Sequence, residues 1–265
     1  MQPYYFQNIM LKGKKGIIFG IANDHSIAWG ISKKLSEYGA ELALTYQNDT
    51  LLKRIKPLSK EINSKLLIEC DFSQSNSIKK CFDDLNQEWN NIDFVVHAAA
   101  FSNKDELNGR YIDTSLSNFI NTLNISCYSF TEISKLASSM MNNGGSLLTL
   151  SFYGANKVMP NYNVMGVAKA ALEMSVKYLS VDLGKNNIRV NAISAGPMRT
   201  IAGAAIAKAR EVYKYTEKNS PLHRNVRLDE LGNTALYFVS DLSKAVSGEI
   251  HYVDCGFNII GMSQY

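Results

Sequence analysis

In the run from Pro160 to Lys169, a tyrosine, Tyr162, precedes a lysine, Lys169, by seven positions, just where an apolar helical pattern begins. Seven residues make about two turns at ~3.6 residues per turn, so a phenol and an ammonium project from one helix face into one small volume. That is the layout of an acid and its electrostatic helper. An ordinary amphipathic face contains the same pair, so the elements around it must decide between the two readings.

The chain has 265 residues, 46% hydrophobic and 20% charged, which is enough for one large core. Its net charge of +4 is mild and its Lys and Arg are spread without a block, so neither nucleic acid nor a membrane surface is expected as a partner. The longest apolar runs are strand-sized, short of the ~20 residues that a membrane span needs. Cys70, Cys81, Cys127 and Cys255 form no C-x-x-C pair and suit reduced thiols and a cytoplasmic setting. His25, His97, His223 and His251 are too dispersed for a zinc signature, so no metal is expected. Residues 1–10 carry neither a basic leader nor a long apolar stretch and read as a loose extension ahead of one domain over 11–265.

Short β-rich runs alternate with helical patterns along that domain. Gly16 to Phe19 precedes a helix over Ile27 to Tyr38, Glu41 to Tyr46 one over Thr50 to Ile62, and Leu66 to Cys70 one over Ser75 to Trp89. The alternation continues through Ile92 to His97, a helix around Leu116 to Met141, Ser146 to Leu150, a helix from Tyr162 to Leu183 and Ile188 to Ile193. A helix over Leu228 to Val239 and a strand over Glu249 to Val253 complete it. Near-continuous apolar strands alternating with helices predict an α/β fold of Rossmann type, a doubly wound parallel sheet covered on both faces.

In such a sheet ligands sit beyond the carboxyl ends of the strands. The first strand ends at Gly20, and small residues, Ser26 and Ala28, flank Ile27 at the following helix start, where backbone amides can meet a pyrophosphate. The loop is two residues longer than G-x-x-x-G-x-G and is also compatible with an ordinary strand-to-helix turn. After the second strand come Tyr46, Gln47, Asn48 and Asp49, with no Lys or Arg from 41 to 52, which favours NADH over NADPH. Asp71 and Phe72 after the third strand can frame an adenine, or Asp71 can cap a helix. Ala98, Ala99 and Ala100 after the fourth leave room for a cofactor or pack closely.

Together, Gly20 with Ser26-Ile27-Ala28, Gln47, Asp71, Tyr162 with Lys169, and Asn191-Ala192-Ile193-Ser194-Ala195-Gly196-Pro197 resemble the short-chain dehydrogenase/reductase superfamily. More closely they resemble its bacterial type I enoyl-acyl-carrier-protein reductases, over Leu11 to Met262. The specific element is the six residues between Tyr162 and Lys169, with Gly at 166, where ordinary members of the superfamily have three.

The resemblance implies that Tyr162 hydrogen-bonds a thioester carbonyl and Lys169 holds the nicotinamide ribose. It assigns Gly20, Ser26, Ile27, Gln47, Asp71, Phe72, Ala99 and the stretch Met198, Arg199, Thr200, Ile201, Ala202 to NADH, and Ser102 to a substrate contact. It also implies acyl carrier protein as the substrate carrier and a homotetramer. Many relatives have a second active-site tyrosine upstream in a Ser-Tyr context, where this chain has Ser151, Phe152 and Tyr153. Alignment puts Phe152 there, as in a long-chain branch of the family, so Phe152 is expected to wall the acyl pocket while Tyr153 points into packing.

Thr200 to Ala209 is rich in small apolar residues and suits a lid over an acyl chain or a plain amphipathic helix. Arg210, Lys214 and Lys218 recur every four residues, either as a docking face for an acidic partner or as a solvated basic face. The expected activity is NADH-dependent reduction of enoyl thioesters in fatty acid elongation. The alternatives are a 3-oxoacyl or other carbonyl reductase of the superfamily and a dinucleotide-binding regulator without catalysis.

Overall fold

The computed structural model describes residues 10–204 and 207–262, so the expected N-terminal extension lies, apart from Met10, outside them. Seven strands, β1 (Lys15–Phe19), β2 (Glu41–Tyr46), β3 (Leu66–Glu69), β4 (Phe94–His97), β5 (Gly145–Phe152), β6 (Ile188–Ala195) and β7 (Ile250–Val253), form one sheet in the order β3-β2-β1-β4-β5-β6-β7. Every pairing is parallel. The order reverses at β1, which lies between β2 and β4, so the crevice at their carboxyl ends is where such a sheet takes a ligand.

Successive strand residues face opposite layers. Ile18, Leu44, Val96 and Leu148 pack with Trp29, Ile31 and Leu35 of α1 (Ile27–Glu37) and with Leu231, Ala235 and Phe238 near the chain end. Ile17, Phe19, Val95, Leu147 and Val190 pack on the other face. They meet Ile78, Phe82 and Leu85 of one helix, Phe130 and Ile133 of a second, and Leu172 and Val176 of a third. The helices after α1 are α2 (Asp49–Glu61), α3 (Ser77–Glu88), α4 (Lys104–Leu107), α5 (Leu116–Leu123), α6 (Ser129–Ser138), α7 (Asn163–Gly184), α8 (Ile201–Ala204), α9 (Ala209–Asn219) and α10 (Leu228–Val239). Both faces of the sheet are therefore covered, as the apolar strands require.

The sequence predicts one helix from Leu116 to Met141, and the structure breaks it. A π-helical turn, Asn124–Tyr128, separates α5 from α6. It turns Ser126 out of register, so that the Ser126 hydroxyl donates to the Phe101 carbonyl and accepts from the Phe101 amide. Ser129 donates back to the Ile125 carbonyl. Hydroxyls that compete for helix carbonyls in this way favour such a bulge, and the bulge secures the loop after β4. At the other helix in question, α7 begins at Asn163, which makes Tyr162 its N-cap rather than its first residue.

Gly16 and Phe94 stand side by side in the β1 and β4 register, and a Cβ on Gly16 would lie 2.0 Å from the Phe94 ring. Gly16→Ala is thus expected to destabilise the fold by about 2 kcal/mol through overpacking. Phe94→Leu in the same chain should recover part of that loss, giving a clear interaction energy in a double-mutant cycle of urea unfolding.

His97 at the end of β4 is sealed, with Nδ1 2.8 Å from the Thr149 hydroxyl and Nε2 3.0 Å from the Ser129 hydroxyl. Burial, helped by the positive charge of Lys169, lowers its pKa from 6.5 to about 3. Between those values the unfolded chain binds a proton that the folded chain refuses, so stability falls as pH falls through this window. Unfolding free energy measured from pH 6.5 downward should decline more steeply in wild type than in His97→Asn, by up to about 1.4 kcal/mol per pH unit. Parallel slopes would show that His97 takes up a proton in the folded state.

Candidate active site

The loop from Gly20 to Ser26 leads from the reversal point of the sheet into α1. Gly20 has φ +98°, and a Cβ there would lie 2.4 Å from the Ala98 carbonyl oxygen, so glycine lets the ends of β1 and β4 approach. The Ser26 hydroxyl accepts from the amides of Ala22 and Asn23. It makes no capping bond to α1, leaving the first-turn amides around Ile27 available to an outside acceptor at the positive end of the helix. Ala99 follows β4, half-buried beside this loop's partner strand.

The two residues expected at the ribose and adenine touch each other: Gln47 Nε2 donates to Asp71 Oδ1 at 3.0 Å. Asp71 also accepts from the Ser73 amide and hydroxyl, and α3 takes Asn76 as its cap, so Asp71 is not a helix cap. Phe72 turns inward, its ring stacked 5.8 Å from His97 and 5.7 Å from Phe19. Lys33 and Arg54 line a groove between α1 and α2 with Asn23, Asp24, Trp29 and Glu61.

Tyr162 and Lys169 both reach the end of β5 from α7, Tyr162 at Phe152 and Lys169 at the Leu150 carbonyl. The Tyr162 ring is buried in a small apolar cluster with Leu107, Val164 and Met165, against which Phe119, Leu123, Phe152 and Met159 pack. The edge of Phe152 meets it, with ring centroids 5.0 Å apart. Two glycines make room, Gly166, noted in the sequence, and Gly154, which was not: a Cβ on Gly154 would lie 2.5 Å from the Tyr162 ring, and one on Gly166 2.9 Å from the Gly154 carbonyl oxygen. Asn161 and Asn163, both in the left-handed region at φ 58° and 34°, bracket the tyrosine. The Asn161 amide donates to the Ala207 carbonyl, and that of Asn163 to the Glu106 carbonyl.

Among the described residues the Tyr162 hydroxyl has no hydrogen-bond partner, and it is not among the sealed unpaired atoms, so it faces accessible space. Burial, with a smaller push from the charge on Glu173, raises its pKa, so the phenol is a protonated donor. Lys169 is 5% exposed and donates through Nζ to the Leu150 carbonyl at 2.7 Å. Burial lowers its pKa to about 8. An ammonium has three donors, so two remain for a ligand.

Ser102, expected at the substrate, lies after β4, its Oγ accepting from Thr122 at 2.9 Å and exchanging hydrogen bonds with Asn118. Tyr153 packs against Phe257 at 5.6 Å while Phe152 meets Tyr162, so the two aromatic rings after Ser151 serve different clusters.

Past β6, Met198 packs against the core and the Arg199 guanidinium lies 4.6 Å over the Tyr213 ring. Thr200 accepts from the Gly203 amide at the start of α8, which contains Ile201 and Ala202. The expected lid over 200–209 therefore holds a short helix and the start of α9, with residues 205 and 206 outside the described set. Arg210, Lys214 and Lys218 are exposed on α9, whose buried side carries Thr216 and Asn219.

The residues brought together at the carboxyl ends of β1, β4, β5 and β6 come from separated parts of the chain and suit an extended dinucleotide beside an acyl pocket. Comparison with known proteins agrees. The family model described as Enoyl-(Acyl carrier protein) reductase matches residues 20–258. The enoyl-acyl-carrier-protein reductase (NADH) FabI of Rickettsia typhi is 55% identical over 96% of this chain and 98% of its own length. The enoyl-acyl-carrier-protein reductase (NADH) 2 of Rhizobium meliloti is 56% identical over 96% of this chain and 95% of its own. The crystal structure of the Anaplasma phagocytophilum enoyl-acyl-carrier-protein reductase in complex with NAD is 54% identical, covers 97% of this chain and 98% of that one, and superposes with a TM-score of 0.94. With the family model spanning the sheet and both Tyr162 and Lys169 and with relatives alike along nearly the whole chain, this protein belongs to the enoyl-acyl-carrier-protein reductase family of the short-chain dehydrogenase/reductase superfamily.

Proposed function

We propose that this chain reduces the trans-2 double bond of enoyl-acyl-carrier-protein thioesters with NADH, in the elongation of fatty acids. The observation that carries the reading is the buried pair at the β5 and α7 junction, a protonated Tyr162 phenol with an unpaired hydroxyl and the Lys169 ammonium. The free amides at the start of α1, the close approach at Gly20 and the two spare donors of Lys169 fit NADH. When bound, NADH supplies the hydride that adds to the β-carbon of the substrate.

The chain's own groups do the rest. Charge builds on the thioester oxygen as an enolate, and the Tyr162 hydroxyl is the preplaced donor that receives it. The Lys169 ammonium adds positive charge that favours the anion and holds the ribose, and the α-carbon then takes its proton from Tyr162 or water. Phe152, Met159, Met165 and Phe119 wall the acyl chain from solvent. Ser102 holds the substrate side of the loop after β4, and Met198 to Ala202 cover the cofactor.

A carbonyl reductase of the superfamily is the second reading, and the seven-residue separation of Tyr162 and Lys169 runs against it. The exposed Arg210, Lys214 and Lys218 on α9 support acyl carrier protein, which is acidic, as the partner. Val167, Met174, Tyr178 and Val181 form an exposed apolar stripe along α7, which supports a homotetramer. No helix among the described residues is long and apolar enough to cross a membrane, and a cytoplasmic enzyme of one catalytic unit over 11–265 is the setting we adopt.

NADH consumption with an enoyl thioester and a 3-oxoacyl thioester side by side tests this function, and turnover of the ketone alone would overturn it. Tyr162→Phe should lower kcat/KM on the enoyl thioester about a hundredfold, on the order of 3 kcal/mol, because the ring stays and the donor goes. A near wild-type rate would remove Tyr162 from the donor's role.

Cofactor choice follows from the Gln47 and Asp71 pair, which offers a ribose hydroxyl partners and a 2′-phosphate none. Wild type should use NADH more efficiently than NADPH, and Gln47→Arg should narrow or reverse the ratio by giving the phosphate a bidentate partner. A wild-type preference for NADPH would instead point to Arg54 across the α1 and α2 groove.

A further inference from the structure

Lys169 and Glu173 lie one turn apart on α7 and grip successive residues of β5. Lys169 Nζ donates to the Leu150 carbonyl at 2.7 Å, and Glu173 Oε1 accepts from the Ser151 hydroxyl at 2.6 Å. The other carboxylate oxygen accepts from Asn156 Nδ2 at 3.0 Å, and the same amide donates to the Tyr252 hydroxyl. Helix α7 is thus fastened to the end of β5 by two rungs, one a cation and the other an anion.

We infer that Glu173 is a positioning residue of the active site, whose carboxylate clasps β5 through Ser151 and supplies the negative charge that balances the buried Lys169 ammonium. The inference rests on the assignment of Lys169 to the site. The titratable groups facing Lys169 from each surrounding element are His97 on β4, Cys127 in the π-helical turn and Glu173 itself, and Tyr162 at the cap of α7 in turn faces Glu173. His97 and Tyr162 are neutral at neutral pH. Cys127 interacts with Lys169 when ionised, but burial pushes its thiol up, so it too is neutral. Around Glu173 stand Tyr252 on β7 and Tyr162, and Tyr252 in turn faces Asp254 and Tyr153. Glu173 is therefore the anion among these groups that opposes the desolvation of Lys169.

The carboxylate also fixes geometry. Ser151 lies between Leu150, which takes the ammonium, and Phe152, whose ring edge sets the Tyr162 ring. A free end of β5 would loosen both catalytic side chains together.

The test follows Lys169 directly in the full-length protein labelled with side-chain 15N-lysine, its signal identified by its loss in Lys169→Arg. In Glu173→Gln and Glu173→Met the Lys169 titration midpoint should fall by about half a pH unit or more. Glu173→Asp should bring it back toward wild type. The alkaline limb of kcat/KM should move in the same direction in each variant. Ser151→Ala, which frees β5 but keeps the charge, should lower kcat a few-fold with the titration unmoved.

A Lys169 midpoint unchanged in Glu173→Gln overturns the inference, as does a loss of activity with the alkaline limb in place. Failure of both charge-free variants to fold overturns it too, because the carboxylate would then serve the fold rather than the site. The titration requires no turnover, so a protein inactive on enoyl thioesters would refute the proposed reaction and leave the Glu173 result readable.

Discussion

Burying an ammonium is costly, and the arrangement around Lys169 is what makes it tolerable here. The effective penalty for taking such a charge out of water is several kcal/mol before compensation. The Leu150 carbonyl meets one donor, and Glu173 stands one helical turn away. That compensation requires β5 to run as far as Phe152 and α7 to cross its end, so the eight-residue strand and the long helix are conditions for the charge rather than mere scaffold. His97 shows the complement: close to the same cation and sealed, it is held neutral.

Close backbone approach is the second condition, and glycines mark where it occurs. At Gly20 two strand ends meet at the reversal of the sheet, and at Gly154 and Gly166 the turn after β5 and the helix close on one edge of the Tyr162 ring. A methyl group at any of the three would collide with a backbone oxygen or with the ring itself. The Tyr162 ring is thereby held by its contacts, while its hydroxyl keeps its hydrogen-bonding capacity for a ligand. Preorganisation of that kind places a donor where charge develops and leaves no reorganisation for the reaction to drive.

The aromatic pair after Ser151 shows how one backbone step divides labour. β5 ends at Phe152 and Tyr153 opens a 3-10 turn, so Phe152 reaches the Tyr162 ring while Tyr153 reaches Phe257. A phenol at 153 is consequently no substitute for one at 152, and Tyr162 is the single tyrosine of its cluster among the described residues.

Much of this was determined by the sequence. The alternation of apolar runs and helical periods specified a doubly wound parallel sheet, because strands covered on both faces must be apolar throughout, and α10 spans Leu228–Val239 as its pattern requires. The spacing of Tyr162 and Lys169 pointed to a pair on one helix, but Tyr162 stands just before α7 between two left-handed asparagines, so its placement comes from the turn and not from helix geometry. What tertiary structure decided were contacts between residues far apart in the chain, which leave no period to read. The seating of Gly154 and Gly166 against a ring, the bond from Gln47 to Asp71, the clasp of Glu173 on Ser151 and the burial of His97 are all of this kind. The π-helical turn at Asn124–Tyr128 belongs with them: helical periodicity runs straight through it, and the turn exists because Ser126 has a partner in Phe101 that lies beside it only after the chain has folded.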